Sequence, residues 1–382
     1  MQIGFVGDTS FTGTFRERLL SGEDVLSAGL QDLLRANDFN VCNFEGPATE
    51  ASNILRTDLR VVSPPQSVMY LFDCNFNIFN LANNHVFDCG EAGFSDTIRE
   101  IQKSGARYFG AGQNIDEASK VLYVEGNDIH VALIGFAHKE GMIASKDRPG
   151  VFCETDRELL NQRICEAKAN ADWVVVNYHG GEEFTLFPMP RRRRFLHDLS
   201  ALGVDVIIAH HAHVFQGVEK IQNTTLFYSL GNFMFDVPIL RARSHTAQSG
   251  MAVLQFQKDL YKYKIHSLRI DYERGCVETV EDFDPSLEHL SDFSIYPKTW
   301  RRDAARVIRE SRKPIHSYSG AAAISPSVSK SRKLRKLKKV IKEITGLFTN
   351  PIKRSLYSAA LRYMMMDRLF SSNTKNHSGE SC

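Results

Sequence analysis

The sequence predicts an α/β fold made of two sheets with helices packed on them, and three observations carry that expectation. From residue 3 to about residue 272, short apolar runs alternate with amphipathic stretches of helical character. The runs are almost purely apolar, as strands covered on both faces must be. Beyond residue 226 strands succeed one another with little helix between them, which describes a second, more antiparallel sheet.

The elements run in order. Apolar runs occupy residues 3–6, 40–44, 78–81, 131–135, 173–177 and 204–209, and helix-like segments between them include 25–34, 94–101, 158–169 and 194–202. The late strands are 226–229, 251–257 and 263–272. Acidic and loop-forming residues then accumulate over 278–291, and a helical stretch comes next at 300–311. The organisation read from this is one domain over 1–275, a helical extension over 276–317, a flexible Ser/Pro-containing linker over 318–331, a basic amphipathic helical tail over 332–370 and a disordered end over 371–382. In the tail, Leu334, Leu337, Ile341, Ile344 and Phe348 recur at spacings of three and four, with lysines and arginines filling the gaps. Such a stripe suits an anionic membrane surface, a protein partner or plain solvent.

Composition narrows the class. Of 382 residues, 43% are hydrophobic and 24% charged, which is an ordinary soluble enzyme and neither a collagen-like nor a disordered chain. A net charge of +2 is too small for a global field toward nucleic acid, and the core lacks a basic aromatic stripe, so no specific nucleic-acid partner is expected. Seven cysteines without metal-type spacing read as reduced thiols. With no apolar run of about 18–20 residues and no leader-like start, the expected location is cytoplasmic, peripheral at the inner membrane face if the tail docks there.

The chemistry sits where polar residues end the strands. Five runs close on metal-competent clusters: Gly7-Asp8, Asn43-Phe44-Glu45-Gly46, Asn83-Asn84-His85, His179-Gly180-Gly181 and His210-His211-Ala212-His213. Ligands of open α/β sheets bind outside the carboxyl ends of the strands, so these clusters can converge although far apart in sequence. Singly, each has a plain alternative as a turn, cap or packed residue, but five such placements together point to a metal site. Oxygens from Asp8, Glu45 and Asn84 with imidazoles from His179, His211 and His213 suit Mn, Zn or Fe, as one ion or as two sharing a bridging carboxylate.

These motifs carry a resemblance. Gly7-Asp8, Asn43-Phe44-Glu45-Gly46-Pro47, Leu81-Ala82-Asn83-Asn84-His85 with Asp88 and Gly90, and Gly110-Ala111-Gly112 are succeeded in order by His179-Gly180-Gly181-Glu182-Glu183, the stretch from Gly203 to His213, and Tyr228-Ser229-Leu230-Gly231-Asn232-Phe233. Over roughly residues 2–271 the chain resembles the bacterial capsule synthesis protein CapA family, also called poly-gamma-glutamate capsule biosynthesis proteins. That family looks like a branch of the calcineurin-like metallophosphoesterases. The resemblance implies a two-sheet αββα sandwich with metal ligands at Asp8, Glu45, Asn84, His179, His211 and His213. It also implies Glu45 as the bridging ligand, and His85 as general acid or transition-state contact, oriented by Asp88. Two departures stand out. The Asp-x-His of the phosphoesterases is Asp8-Thr9-Ser10, one nitrogen short, and the Gly of Gly-His-x-His is replaced by Ala209-His210, an extra imidazole.

Candidate substrate contacts are Glu183, Arg193 within the four arginines 191–194, and Asn232. The arginines read equally as a solvated helix start, and Asn232 as a turn residue. Two functions are compatible with these features. One is a metal-dependent, phosphoesterase-like hydrolase of capsule or exopolysaccharide biosynthesis, acting on a phosphoester or an acidic polymer. The other is a non-catalytic assembly or polymer-binding factor of a capsule or polyglutamate synthesis complex.

Overall fold

The computed structural model describes residues 1–51, 61–281 and 290–311. In chain order its strands are β1 (Gln2–Thr9), β2 (Phe39–Phe44), β3 (Ile78–Asn80), β4 (Arg107–Phe109), β5 (Ala111–Gly112), β6 (Leu122–Gly126), β7 (Ile129–Ala137), β8 (Gly150–Val151), β9 (Trp173–His179), β10 (Val206–His210), β11 (Phe215–Ile221), β12 (Thr224–Leu230), β13 (Asn232–Met234), β14 (Gln248–Phe256), β15 (Tyr261–Asp271) and β16 (Cys276–Thr279). The helices are α1 (Gly13–Leu20), α2 (Ala28–Arg35), α3 (Gln66–Asp73), α4 (Gly90–Ser104), α5 (Ile115–Ala118), α6 (Arg157–Asn170), α7 (Pro190–Ser200), α8 (Pro238–Arg241) and α9 (Tyr296–Ser311).

One large sheet runs β16-β15-β14-β1-β2-β3-β4, with β13 also paired to β1; the second runs β11-β12-β10-β9-β7-β6, and β5 pairs with β8 in a small two-stranded sheet. In the first, β1 through β4 are parallel, while β14, β15 and β16 are antiparallel. In the second, β12, β10, β9 and β7 are parallel and the two edge strands antiparallel. The late strands therefore do not build a sheet of their own, contrary to the sequence expectation. They extend the two sheets begun earlier, because β14 pairs with the open side of β1 and β12 with that of β10.

Three apolar layers hold these sheets. In β9, Val175 faces the layer between the sheets while Val174 and Val176 face the helices behind. In β10, Val206 and Ile208 face inward and Ile207 and Ala209 outward. That two-sided burial is why these strands read as unbroken apolar runs. Leu30 and Leu34 of α2, Val68 and Leu71 of α3 and Phe94 and Ile101 of α4 cover the outside of the first sheet. Leu160 and Ile164 of α6 and Leu196 and Leu199 of α7 cover the second. The result is the two-sheet αββα sandwich that the resemblance implied. Helix α7 opens at Pro190 rather than at residue 194, since proline at a first helical position is already set for the turn and has no N–H to satisfy.

In the stretch expected as a helical extension, β16 pairs with β15, and α9 inserts Trp300, Ala304, Ala305 and Ile308 into the layer between the sheets. The expected linker, basic tail and disordered end lie outside the described residues. Among the described residues no helix is long and apolar enough to cross a membrane. Because Trp300 is almost wholly buried, Trp300→Ala is expected to lower stability by about 3–5 kcal/mol. Urea unfolding reads this directly, and an unchanged midpoint would mean that α9 lies on the core without being part of it.

Candidate metal centre

Local structure aims each donor. Asp8 lies near the end of β1, between Asn43 of β2 and Asn232 of β13 in register. Its N–H donates to the Gly231 carbonyl at 3.0 Å. Gly7 allows that approach, since a Cβ there would come within 1.9 Å of the same oxygen. Glu45 comes directly after β2 and its N–H donates to Thr9 O at 2.8 Å. After β3, Asn83 accepts from the N–H groups of His85 (3.1 Å) and Val86 (2.9 Å) and donates to Phe44 O (2.8 Å), tying the Asn84-His85 turn to the end of β2. His179 ends β9 and His210 ends β10, opposite one another. His211 and His213 then adopt left-handed backbones, with φ of 85° and 56°. Histidine visits that region more readily than most residues, and strain of this kind concentrates at functional sites.

The side chains meet across the mouth of the sandwich. Asp8 Oδ2 lies 3.2 Å from His213 Nδ1 and accepts the His211 N–H at 3.3 Å. His179 Nε2 is 2.9 Å from Asn84 Oδ1, 3.1 Å from His211 Nδ1 and 3.9 Å from Glu45 Oε1. His85 places Nε2 3.7 Å from Glu45 Oε1, and its Nδ1 is 2.7 Å from Asp88 Oδ2. Three groups have donor atoms mutually within 4.8 Å: Glu45, His179 and His211; Asp8, Glu45 and His213; and Glu183, His211 and His213. Glu45 belongs to the first two.

The donor set fits a divalent ion. Glu45 is fully buried, and among the described residues neither of its carboxylate oxygens has a hydrogen-bond partner. A buried carboxylate is tolerated when it is paired or coordinates a cation. Burial, then the neighbouring Asp8 charge, pushes its carboxyl well above the ordinary range. Burial also opposes ionisation of Asp8, but the His213 hydrogen bond and the surrounding imidazoles bring it below its usual value. For His213, burial works against the proton, yet Asp8 and Glu45 carry it up to about 10. Burial, reinforced by neighbouring imidazoles, depresses His179 well below its ordinary value, while burial takes His211 to about 4. Neutral imidazole is the form that ligates a metal, and a proton on His213 is one that a cation would displace.

The structure thus brings together Asp8, Glu45, Asn84, His85, Asp88, His179, His211 and His213. The three expected substrate contacts fare differently. Arg193 is engaged elsewhere: its Nε donates to Glu219 Oε2 at 2.9 Å, and its guanidinium lies 4.9 Å from the Tyr296 ring centre and 5.3 Å from that of Phe293. Asn232 is fully buried and donates to the carbonyls of His213 and Thr246, both at 3.1 Å, with its Oδ1 2.9 Å from His213 Nδ1. It orients a histidine and has no surface to offer a substrate. Glu183 is exposed and stands with His211 and His213.

Several residues take positions at the centre that the sequence does not assign to them. The Asn43 amide donates to Asp8 Oδ1 at 2.8 Å, sits 3.1 Å from His179 Nδ1 and is itself held by Asn80 at 2.9 Å. The available signal is its place in the polar cluster that ends β2, a strand whose other polar residue is Asn40. His210 lies beside Asp8, with Nδ1 3.7 Å from Oδ1, and among the described residues its ring nitrogens have no hydrogen-bond partner. Arg192, from the arginine run, is buried and donates to Tyr228 O at 2.6 Å. Ser10 turns its hydroxyl to within 3.4 Å of Ser63 Oγ.

Comparison with known proteins gives the family. The family model described as bacterial capsule synthesis protein PGA_cap matches residues 2–237. The chain belongs to this family. Within it, the chain is 36% identical over 250 residues to the PGA biosynthesis protein CapA of Bacillus subtilis, covering 64% of this chain and 65% of that protein. It is 34% identical over 249 residues to the capsule biosynthesis protein CapA of Bacillus anthracis, covering 61% and 60%. The match therefore spans less than two thirds of the length of either family relative. Among solved structures, a phosphatase of Mycoplasma pneumoniae is similar at 13% identity and a TM-score of 0.43, over 77% of this chain and 98% of that one.

One buried acid beside the centre generates a pH prediction. Glu182 accepts the Met189 N–H and the Thr185 hydroxyl, securing the loop between β9 and α7, and burial raises its carboxyl from 4.5 to about 7. The unfolded chain releases this proton near pH 4.5 and the folded chain holds it to about 7. Stability from this group is therefore full below pH 4.5 and falls as pH rises to 7, by on the order of 3 kcal/mol. Glu182→Gln keeps an acceptor and is expected to flatten that part of the stability profile in urea titrations at about pH 5 and about pH 8. Parallel profiles for the two proteins would refute the assignment.

Proposed function

We propose that the chain is a metal-dependent hydrolase of capsule or exopolysaccharide biosynthesis, with one or two divalent transition ions held by Asp8, Glu45, Asn84, His179, His211 and His213. The observation that carries this is Glu45, a buried carboxylate without hydrogen-bond partners among the described residues and common to two donor groups. Mixed nitrogen and oxygen donors favour Mn, Zn or Fe. A divalent ion bound there would polarise the bond under attack and supply hydroxide-like water at neutral pH.

The chain's own residues do the rest. Asn43 holds Asp8 and His179 in a common orientation. Asp88 fixes the His85 ring through Nδ1, leaving Nε2 directed toward Glu45, where it can give a proton to the leaving oxygen or nitrogen. His85 and Asp88 are thus the proposed catalytic pair. A phosphoester, or a carbonyl-centred bond of an acidic polymer, fits this arrangement, and the family relatives' names speak for a setting in capsule and PGA biosynthesis. A second reading, a non-catalytic assembly or polymer-binding factor, draws on Ser10, which leaves one ion position a nitrogen short. In either role the basic segment 332–370 would bring the chain from the cytoplasm to the anionic inner face of the membrane, near capsule synthesis machinery.

Asp8→Ala and His211→Ala are expected to lose bound metal in elemental mass spectrometry. His85→Ala should keep its metal and lose turnover of a phosphoester or polymer probe by about 10²–10⁴-fold. Full activity in His85→Ala would remove that residue from the mechanism, and a metal-loaded wild type that turns over neither probe would favour the assembly role. Deleting residues 330–382 should leave the urea midpoint unchanged and abolish sedimentation with anionic vesicles. A truncated chain that still sediments would end the membrane proposal.

A further inference from the structure

The group around Asp8, Glu45 and His213 contains three donors, and the position two residues after Asp8 that would supply a fourth is a serine facing Ser63. Tetrahedral transition-metal sites take four ligands. We propose that Glu183 supplies the missing donor, reaching across from the second sheet, so that the chain completes a two-ion centre with a carboxylate where an imidazole is absent. This inference rests on the metal-centre reading and assigns Glu183 to ion binding rather than to substrate.

The carboxylate of Glu183 lies with one nitrogen each of His211 and His213 inside the same 4.8 Å limit as the other donor groups. His213 is common to this group and to the incomplete one. The loop that carries Glu183 is held in a costly shape. Phe184, the next residue, has φ of 65°, a left-handed conformation that a bulky side chain adopts only under constraint, at a cost of about 1–3 kcal/mol. Three contacts impose it. The Phe184 N–H donates to Ala212 O at 2.8 Å, between the two histidines. Its ring stacks on His213 at 6.0 Å between ring centres. Its carbonyl accepts from Arg306 of α9 at 2.6 Å. On the other side of Glu183, Gly181 has φ of 117°, and a Cβ there would strike Arg192 at 2.6 Å. The backbone on the Phe184 side is thus pinned to the His211–Ala212–His213 segment, that on the Gly181 side is packed against Arg192, and the Glu183 carboxylate stands beside the two imidazoles.

The chemistry has a consequence for ion choice. A carboxylate is a harder donor than imidazole, so this position would accept Mn more readily, relative to Zn, than a site with the additional nitrogen.

The test uses the full chain, reconstituted with Mn(II), desalted and assayed for metal per chain by elemental mass spectrometry, with urea midpoints measured in parallel. Wild type is expected to retain two equivalents and Glu183→Gln one, while the metal-free proteins share the same urea midpoint because the residue is exposed. Glu183→His, which returns a nitrogen, is expected to regain the second equivalent and to shift competition between Mn(II) and Zn(II) toward zinc. Two equivalents retained by Glu183→Gln at wild-type affinity would overturn the inference alone. A wild type that holds a single ion would overturn it as well. A wild type that holds none would overturn the metal centre and this inference with it.

Discussion

The constraint on which the rest of the structure turns is the burial of Glu45 without donors. An ionised carboxylate removed from water is expensive unless something positive faces it, and the described chain offers it three imidazoles and no hydrogen bond. The surroundings are arranged to make that position tenable for a cation. Asp8 adds a second negative charge, His213 balances it with a proton that can leave, and His179 and His211 are kept neutral. These departures from ordinary titration share an origin, a set of candidate donors held close together in a dry place.

Holding them there is the work of the sheets. Strands β1, β2 and β3 deliver Asp8, Glu45 and Asn84 from one sheet, while β9 and β10 deliver His179 and His211 from the other. The layer of apolar side chains between the sheets sets the separation of the two donor sets. Fine adjustment comes from asparagines. Asn43, Asn80, Asn83 and Asn232 tie candidate donors and the strands and loops that carry them to one another through amide hydrogen bonds. Amides suit this task because they orient neighbours from both ends without adding charge to a crowded cluster.

Much of this is legible in the sequence, for an identifiable reason. Strands buried on both faces leave unbroken apolar runs, so the polar residue that ends each run is conspicuous, and Asp8, Glu45, Asn84, His179, His211 and His213 all stand out in that way. The pairing of the late strands is not legible, because an apolar run says that a strand is buried and is silent about its neighbour. Hence β14 reads as part of a separate sheet when it belongs beside β1. The surroundings of Arg193 are hidden for a related reason. The run of arginines announces charge, but the helix turns each one to a different direction, so Arg192 is buried, Arg193 pairs with Glu219, and the run is not a single surface. Asn232 reads as a substrate contact or as a turn residue, and only the three-dimensional contacts show its amide engaged with the His213 and Thr246 carbonyls.

Helix α9 bears on how much of the chain the fold needs. The segment matched by the family model ends at residue 237, before β14 has been laid against β1 and well before α9. Yet α9 fills the space between the sheets and grips, through Arg306, the loop that bears Glu183. The matched segment and the folding unit are therefore different lengths of chain. Residues beyond the matched segment close the interior that the matched segment begins. A change in this closing helix would also change the hold on the loop that bears Glu183.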